Sequence, residues 1–230
     1  EEHLRAAIDN SPATARYLEG LGGFFELRSR LREASELYQQ ALAAEPSNRQ
    51  AALSLILVNY RLDQTEGIER IARPFTAESA RDAVDFLMRL GITAQRFGDF
   101  ERARHALERV VEQAPGLIPA RYHLATTLVG LERPDLAREV LEEGARWPAA
   151  KDEGRPEYLS YLADLYSMTG DTQERIGALE ELARLAPGDH FATRSLLSAL
   201  VDAGRERDAE RALRSYPTAA ERSEPIEALL

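Results

Sequence analysis

Histidine and carboxylate side chains are the groups in this chain that could hold a metal ion or transfer protons. The four histidines are His3, His105, His123 and His190. They are spread along the chain, and none lies in an HExxH motif, which places two imidazoles on one face of a helix. The chain has no cysteine, so thiolate ligands and disulfides are excluded. The sequence predicts no metal site.

A glycine-rich stretch, Gly20-Leu21-Gly22-Gly23, superficially resembles a loop that binds phosphate. Such a loop follows a β-strand and opens a helix, whereas this stretch lies inside a run of helical apolar periodicity. Helix packing is the simpler explanation for Gly22. No GxSxG motif, P-loop or kinase motif set occurs. The sequence therefore predicts a protein that is not an enzyme and that needs no cofactor.

Two amphipathic helices flank a turn at Gly98-Asp99, in the stretch 84–117. Their apolar and small residues recur at helical spacing. These residues are Leu87, Leu90, Gly91, Ala94, Ala103, Leu107 and Val110, and Pro115 closes the unit. The pattern predicts one hairpin of two helices.

The same pattern returns with a period of about 34 residues, which indicates a repeat protein. The predicted repeats are 15–48, 49–82, 84–117, 118–151, 156–189 and 190–223. Residues 1–12 read as the second helix of a truncated repeat, and 224–230 as the start of a next repeat or a cap. The sequence is expected to come from a longer array.

This pattern resembles the tetratricopeptide repeat family, in which small residues such as Gly22, Gly91, Ala125 and Ala163 let two helices approach closely. The resemblance implies an all-α fold, a right-handed superhelical solenoid of antiparallel helix hairpins. Repeat 49–82 departs most from the pattern. Pro74 should end its second helix early and leave a loop up to Glu78, because proline cannot donate a backbone hydrogen bond.

The resemblance also implies a concave wall lined by the first helix of each repeat, where a protein partner would bind. The candidate partner-binding residues are Leu57, Tyr60, Arg61, Arg89, Ile92, Arg96, Tyr122, Thr126, Tyr161 and Asp164. Relatives that act with chaperones grip a C-terminal carboxylate with Lys, Asn and Arg side chains, and only Arg89 fits that pattern here. This departure favours a partner that lies in the groove as a helix or an extended segment.

Composition limits the partners and the compartment. The formal net charge of -10 argues against nucleic acid, whose binding needs clustered cations. No apolar run has the length of a membrane span, so direct membrane insertion of this stretch is not expected. An acidic surface instead suits basic partners.

The leading hypothesis is a non-catalytic scaffold within a larger bacterial envelope assembly. The long Ala/Arg-rich array looks like those of periplasmic exopolysaccharide secretion proteins. In such a protein the partner would be a polysaccharide-modifying enzyme, and the acidic surface could also guide a cationic polymer. Two alternatives remain open: a regulatory or substrate-selecting arm of an enzyme whose catalytic domain lies outside this stretch, and a structural spacer or self-association module. A cytoplasmic location is the alternative to the periplasm.

Overall fold

The computed structural model describes residues 15–76 and 80–214, and the regular elements in this part are helices. This part contains no strand. The helices are α1 Ala15–Leu27, α2 Leu31–Ala44, α3 Arg49–Arg61, α4 Ile68–Thr76, α5 Ala80–Arg96, α6 Phe100–Gln113, α7 Ile118–Gly130, α8 Pro134–Glu142, α9 Arg155–Thr169, α10 Thr172–Leu185, α11 His190–Asp202 and α12 Glu206–Arg214. The predicted all-α fold is confirmed. The segments expected at 1–12 and 224–230, and the end of repeat 190–223, lie outside the described residues.

The chain divides into two compact units, residues 1–113 and 114–230. The first unit contains the hairpins α1/α2, α3/α4 and α5/α6, and the second contains α7/α8, α9/α10 and α11/α12. Each hairpin packs its two helices together. In the first unit the first helices α1, α3 and α5 also lie side by side, and in the second unit α7 lies beside α9. Each unit therefore presents a layer of first helices.

Every hairpin turns through one residue in the left-handed backbone region. Three turns use glycine, as at Gly98, where φ is 75°. The other three use Ser29, Asp63 and Glu132, with φ of 58°, 58° and 60°. In each turn the next residue donates its backbone N–H to a carbonyl five residues back, as Arg133 does to Leu128 at 2.9 Å. This bond closes the Schellman motif, which satisfies a carbonyl that the helix end leaves free.

Small residues set the distance between the helices of a hairpin, as the sequence pattern predicts. A Cβ built on Gly22 would lie 2.7 Å from Cε1 of Tyr38, and one on Gly91 would lie 2.6 Å from Cγ of Leu107. Tyr38 and Leu107 are buried. Glycine is therefore required at these two points because the partner helix occupies the space of a side chain.

The expected helix stop at Pro74 is wrong, because α4 continues through Pro74 to Thr76. The next residue explains the difference. Phe75 is 2% exposed and stacks on Phe86 of α5, with 4.9 Å between ring centroids. Packing of this last turn outweighs the hydrogen bond that proline cannot donate. The end of the predicted loop, residues 77–79, lies outside the described residues.

The connection between α8 and α9 is a series of short 3₁₀ turns at Glu143–Arg146, Pro148–Ala150 and Asp152–Gly154. Arg121 on α7 holds the start of this connection, although its residue exposure is only 5%. Its guanidinium donates to the carbonyl oxygens of Pro115 and Val140, both at 2.9 Å. Val140 lies in the last turn of α8, whose carbonyls have no partner within the helix. One buried arginine thus caps a helix of its own hairpin.

Candidate partner-binding faces

The predicted binding residues of the first unit lie on α3 and α5, on the layer of first helices that we call its first-helix face. Arg61 donates to Oε1 of Glu26 on α1 at 3.2 Å. Arg89 donates to the side chain of Gln50 on α3 at 3.3 Å. These side chains therefore bridge neighbouring first helices. Ile92 and Leu57 are half-buried, and Arg96 is exposed.

Tyr60 belongs to a packed cluster and is only 7% exposed. Its ring stacks on Phe97, with centroids 5.1 Å apart, and its hydroxyl donates to Oδ2 of Asp99 at 3.0 Å. Arg102 donates to the same hydroxyl at 3.0 Å and also pairs with Asp99. The expectation that Tyr60 is an open contact residue does not agree with this burial, because the turn between α5 and α6 and Arg102 of α6 already use both its ring and its hydroxyl.

An open depression of about 570 Å³ lies on the first-helix face between α1 and α3. Its lining includes the carboxylates of Glu19 and Glu26 and the glycines Gly20 and Gly23. A Cβ on Gly20 would meet nothing within 4 Å, so the missing side chain leaves accessible space. The depression offers a partner side chain both room and hydrogen-bond acceptors.

The second unit has a stacked tyrosine pair on its first-helix face. The rings of Tyr122 on α7 and Tyr161 on α9 lie 4.4 Å apart at 17°. The Tyr122 hydroxyl donates to Oδ2 of Asp164 at 3.4 Å, and the Tyr161 hydroxyl donates to Oε1 of Glu157 at 2.7 Å. Both tyrosines are half-buried, and both carboxylates are exposed. The fold thus brings together three predicted residues, Tyr122, Tyr161 and Asp164.

Burial and the nearby carboxylates keep these phenols protonated. Partial burial and the hydrogen bond to Glu157 raise the pKa of Tyr161 to about 12. Burial and then the charge of Asp164 raise the pKa of Tyr122. Burial lowers the pKa of His123, whose ring centroid lies 5.5 Å from that of Tyr122, so its imidazole is neutral at pH 7. Thr126, the remaining predicted residue, is half-buried and donates its hydroxyl to the His123 carbonyl at 3.0 Å.

Exposed apolar side chains extend the first-helix face of the second unit. Met168 on α9 is 47% exposed and Phe191 on α11 is 59% exposed. Met168 occupies the same repeat position as Arg61 and Arg96, which were predicted to line the wall. Packing within the hairpins therefore leaves apolar surface on the same side as the tyrosine pair.

Glu157, Glu19 and Glu26 are site residues that the sequence prediction missed. Glu19 and Glu26 occupy the repeat positions of the selected residues Tyr122 and Tyr60, so position in the repeat could have found them. Glu157 occupies a repeat position from which no residue was selected. Glu26 contacts Arg61 of α3 and Glu19 contacts Asn48, and spacing within one repeat does not reveal these partners. Glu157 contacts Tyr161 of its own helix α9.

The described residues contain no group of three or more His, Asp or Glu side chains placed to hold a metal ion. None of the helices in residues 15–76 and 80–214 combines the length and the apolar character needed to cross a membrane.

Known proteins share this architecture. Residues 28–67 and 94–165 match family models described as tetratricopeptide repeat. A tetratricopeptide repeat protein from Parabacteroides merdae is 15% identical with a TM-score of 0.58, over 94% of this chain and 83% of that chain. The pilF protein of Pseudomonas aeruginosa is 20% identical with a TM-score of 0.52, over 90% of this chain and 94% of that chain. No curated protein matches the sequence.

Residues 28–67 and 94–165 are therefore similar to tetratricopeptide repeats, and at these identities the structural likeness shows the fold alone. Proteins with such repeats are generally scaffolds without catalytic activity, and the fold suggests a role in protein–protein interaction.

Proposed function

We propose that this chain is a non-catalytic scaffold that binds a protein partner on the first-helix faces of its two units. The tyrosine pair carries the proposal, because Tyr122 of α7 and Tyr161 of α9 form an aromatic surface on the first-helix face of the second unit. Exposed Met168 and Phe191 enlarge that apolar surface, and aromatic anchors beside polar groups are typical of binding hot spots.

Affinity capture from a lysate of the source bacterium tests this function. The double variant Tyr122→Ala/Tyr161→Ala serves as bait beside the unchanged chain. The matched control is Leu136→Ala/Leu185→Ala, which removes apolar side chains that are 43% and 42% exposed on the second helices α8 and α10. We expect the tyrosine variant to retain at least tenfold less of a specific partner than the unchanged chain, and the control to retain it fully.

Equal retention by the tyrosine variant and the unchanged chain would contradict binding on this face. A mass that rises with concentration, together with no captured partner, would instead indicate a self-association module. Far-ultraviolet circular dichroism of each bait checks that the helices remain folded.

The finer proposal is that the scaffold acts in the bacterial envelope, as part of exopolysaccharide secretion. Its support is the resemblance of the Ala/Arg-rich array to the periplasmic scaffolds of such systems. Osmotic shock and fractionation of the source bacterium test the location by following the native protein with an antibody. We expect it in the periplasmic or envelope fraction, and recovery with cytoplasmic marker enzymes would exclude this role.

A further inference from the structure

We propose that the first-helix face of the second unit binds an amphipathic α-helix of the partner protein that carries two arginine or lysine residues seven positions apart. This inference rests on the proposed scaffold function and specifies the chemistry of the partner. It is carried by four residues along one side of α9 and by the charges around them.

The first step is the spacing of the uncovered side chains on α9. Glu157, Tyr161, Asp164 and Met168 follow one another at intervals of four, three and four residues. Alternating three- and four-residue steps place side chains in one stripe, the arrangement against which a second helix packs. Glu157 and Asp164 are exposed, Tyr161 is half-buried, and Met168 is 47% exposed. Within the part of the chain that the structure describes, the exposed side of this stripe is open to a helix that comes from another molecule.

The second step is the charge of this stripe. Two other carboxylates of the unit are paired with arginine: Arg155 binds Glu181 at 2.8 Å, and Arg138 binds Asp171. Among the described residues, no cationic side chain lies within 4.0 Å of the carboxylate oxygens of Glu157 or Asp164. Their hydrogen-bond partners are the tyrosine hydroxyls, which donate a proton but leave the negative charge in place.

Cationic groups on the adjacent first helices do not neutralise the stripe. Arg121 on α7 is buried against backbone carbonyls, and His123 is neutral at pH 7 because burial lowers its pKa. Arg194 on α11 is exposed and forms no ion pair with either carboxylate. The stripe thus keeps two negative charges beside an aromatic pair.

The third step is the fit of a cationic helix. Seven residues of an α-helix rise about 10.5 Å, so residues seven apart on a parallel or antiparallel partner helix match the spacing of Glu157 and Asp164. A guanidinium can bind a carboxylate and at the same time lie over a tyrosine ring. Apolar residues between the two cations would pack on Tyr161, and a further apolar residue would reach Met168.

A display library of 18-residue amphipathic helices, with one face randomised, tests the proposal. The library is selected against the whole chain and counter-selected against the variant Glu157→Gln/Asp164→Asn, which keeps side-chain shape and removes charge. We expect the enriched peptides to carry Arg or Lys at positions i and i+7. The best peptide should bind the variant at least tenfold more weakly, and its Arg→Glu version should bind the unchanged chain at least tenfold more weakly.

The matched control is Glu174→Gln/Glu180→Gln, which removes two charges from the second helix α10 and should leave affinity for the peptide unchanged. Enrichment of neutral or acidic peptides, or equal binding to the Glu157→Gln/Asp164→Asn variant, would overturn the proposal. A fluorescent glucosamine oligomer provides a further test. If it binds tightly at the same carboxylates and no arginine helix binds, the occupant is a cationic polysaccharide and the proposal is overturned.

The scaffold function has a separate outcome. One result would refute the cationic helix and leave the scaffold function standing. In this result the selected peptides lose binding when Gly23→Leu fills the depression of the first unit, and they still bind the Glu157→Gln/Asp164→Asn variant. If the library yields no peptide that binds either first-helix face, the cationic helix is refuted, and affinity capture with the tyrosine variant decides the scaffold function separately.

Discussion

Two tyrosines on first helices, Tyr60 and Tyr161, meet carboxylates in different ways. The Tyr60 hydroxyl donates to Asp99, whose charge Arg102 neutralises, and the ring is buried under Phe97. The Tyr161 hydroxyl donates to Glu157, which is exposed and has no arginine beside it among the described residues. The first arrangement completes a packed core, whereas the second leaves a charge that a partner can use.

The titration of Tyr161 tests this local electrostatic environment. Partial burial and Glu157 raise its pKa from 10.0 to about 12, so the folded chain keeps the phenol proton at a pH where an unfolded tyrosine has lost it. The stability that this difference contributes is therefore present below about pH 10 and is lost as pH rises towards 12. Absorbance at 295 nm, measured as the difference between the unchanged chain and Tyr161→Phe, should show a midpoint near 12. Glu157→Gln should move this midpoint towards 10, and an unchanged midpoint would contradict the assigned hydrogen bond.

Substitution of Gly91 tests the close approach of α5 and α6. A Cβ at this position would lie 2.6 Å from Cγ of Leu107, which is fully buried and cannot move aside freely. Overpacking destabilises by about 1 to 3 kcal/mol, and the higher helix propensity of alanine stabilises by up to about 1 kcal/mol. Gly91→Ala should therefore lower the free energy of unfolding by about 1 kcal/mol. Urea denaturation measures the change. The control is Gly177→Ala in α10, where a Cβ meets nothing within 4 Å and stability should increase instead.

At the level of the elements, the six hairpin turns have one geometry and different residues. Glu132 has φ of 60° in the turn between α7 and α8, at the point where other hairpins have glycine. A left-handed backbone destabilises a residue that has a side chain by about 1 to 2 kcal/mol. Glycine avoids this cost, but its greater conformational freedom in the unfolded chain cancels part of the gain. Glu132→Gly should therefore stabilise the chain by about 0.5 to 1 kcal/mol. Thermal and urea unfolding measure this gain, and Glu139→Gly inside α8 should destabilise by about 1 kcal/mol.

The end of α8 depends on a side chain from α7. Arg121 donates to the carbonyls of Pro115 and Val140 from a buried position. A buried hydrogen bond from a charged group contributes about 1.5 to 3 kcal/mol, so Arg121→Gln should destabilise the chain by about 2 to 3 kcal/mol. Urea denaturation provides the test. Arg146→Gln is the matched control, because Arg146 has a side chain that is 79% exposed and its loss should cost less than about 0.5 kcal/mol. Equal effects of the two substitutions would refute the capping role.

For the whole molecule, the division into two units predicts how the chain responds to being cut. In a repeat array each hairpin is stabilised mainly by its neighbours, so fragments 1–113 and 114–230, which keep whole hairpins, should each fold. Both should show helical circular dichroism and a cooperative thermal transition. Fragment 1–98 removes α6 and uncovers Leu87 and Leu90, and it should melt at a lower temperature than 1–113. Failure of either long fragment to unfold cooperatively would contradict the division.

The sequence alone determined the class of fold. Apolar spacing of three and four residues specifies a helix, and the 34-residue period specifies hairpins, because both depend on neighbours close in sequence. The resemblance to tetratricopeptide repeats, applied by position in each repeat, implied Tyr122, Tyr161 and Asp164 as wall residues before their contacts were known.

The tertiary structure decided which of those residues already pack against neighbouring side chains. Tyr60 is buried by Phe97 and Arg102, α4 passes Pro74 because Phe75 stacks on Phe86, and Arg121 holds a carbonyl of the next helix. The stacked pair of Tyr122 and Tyr161 likewise joins different hairpins. Such contacts join residues from different helices, and the packing of those helices fixes their geometry, which the spacing within one repeat does not encode.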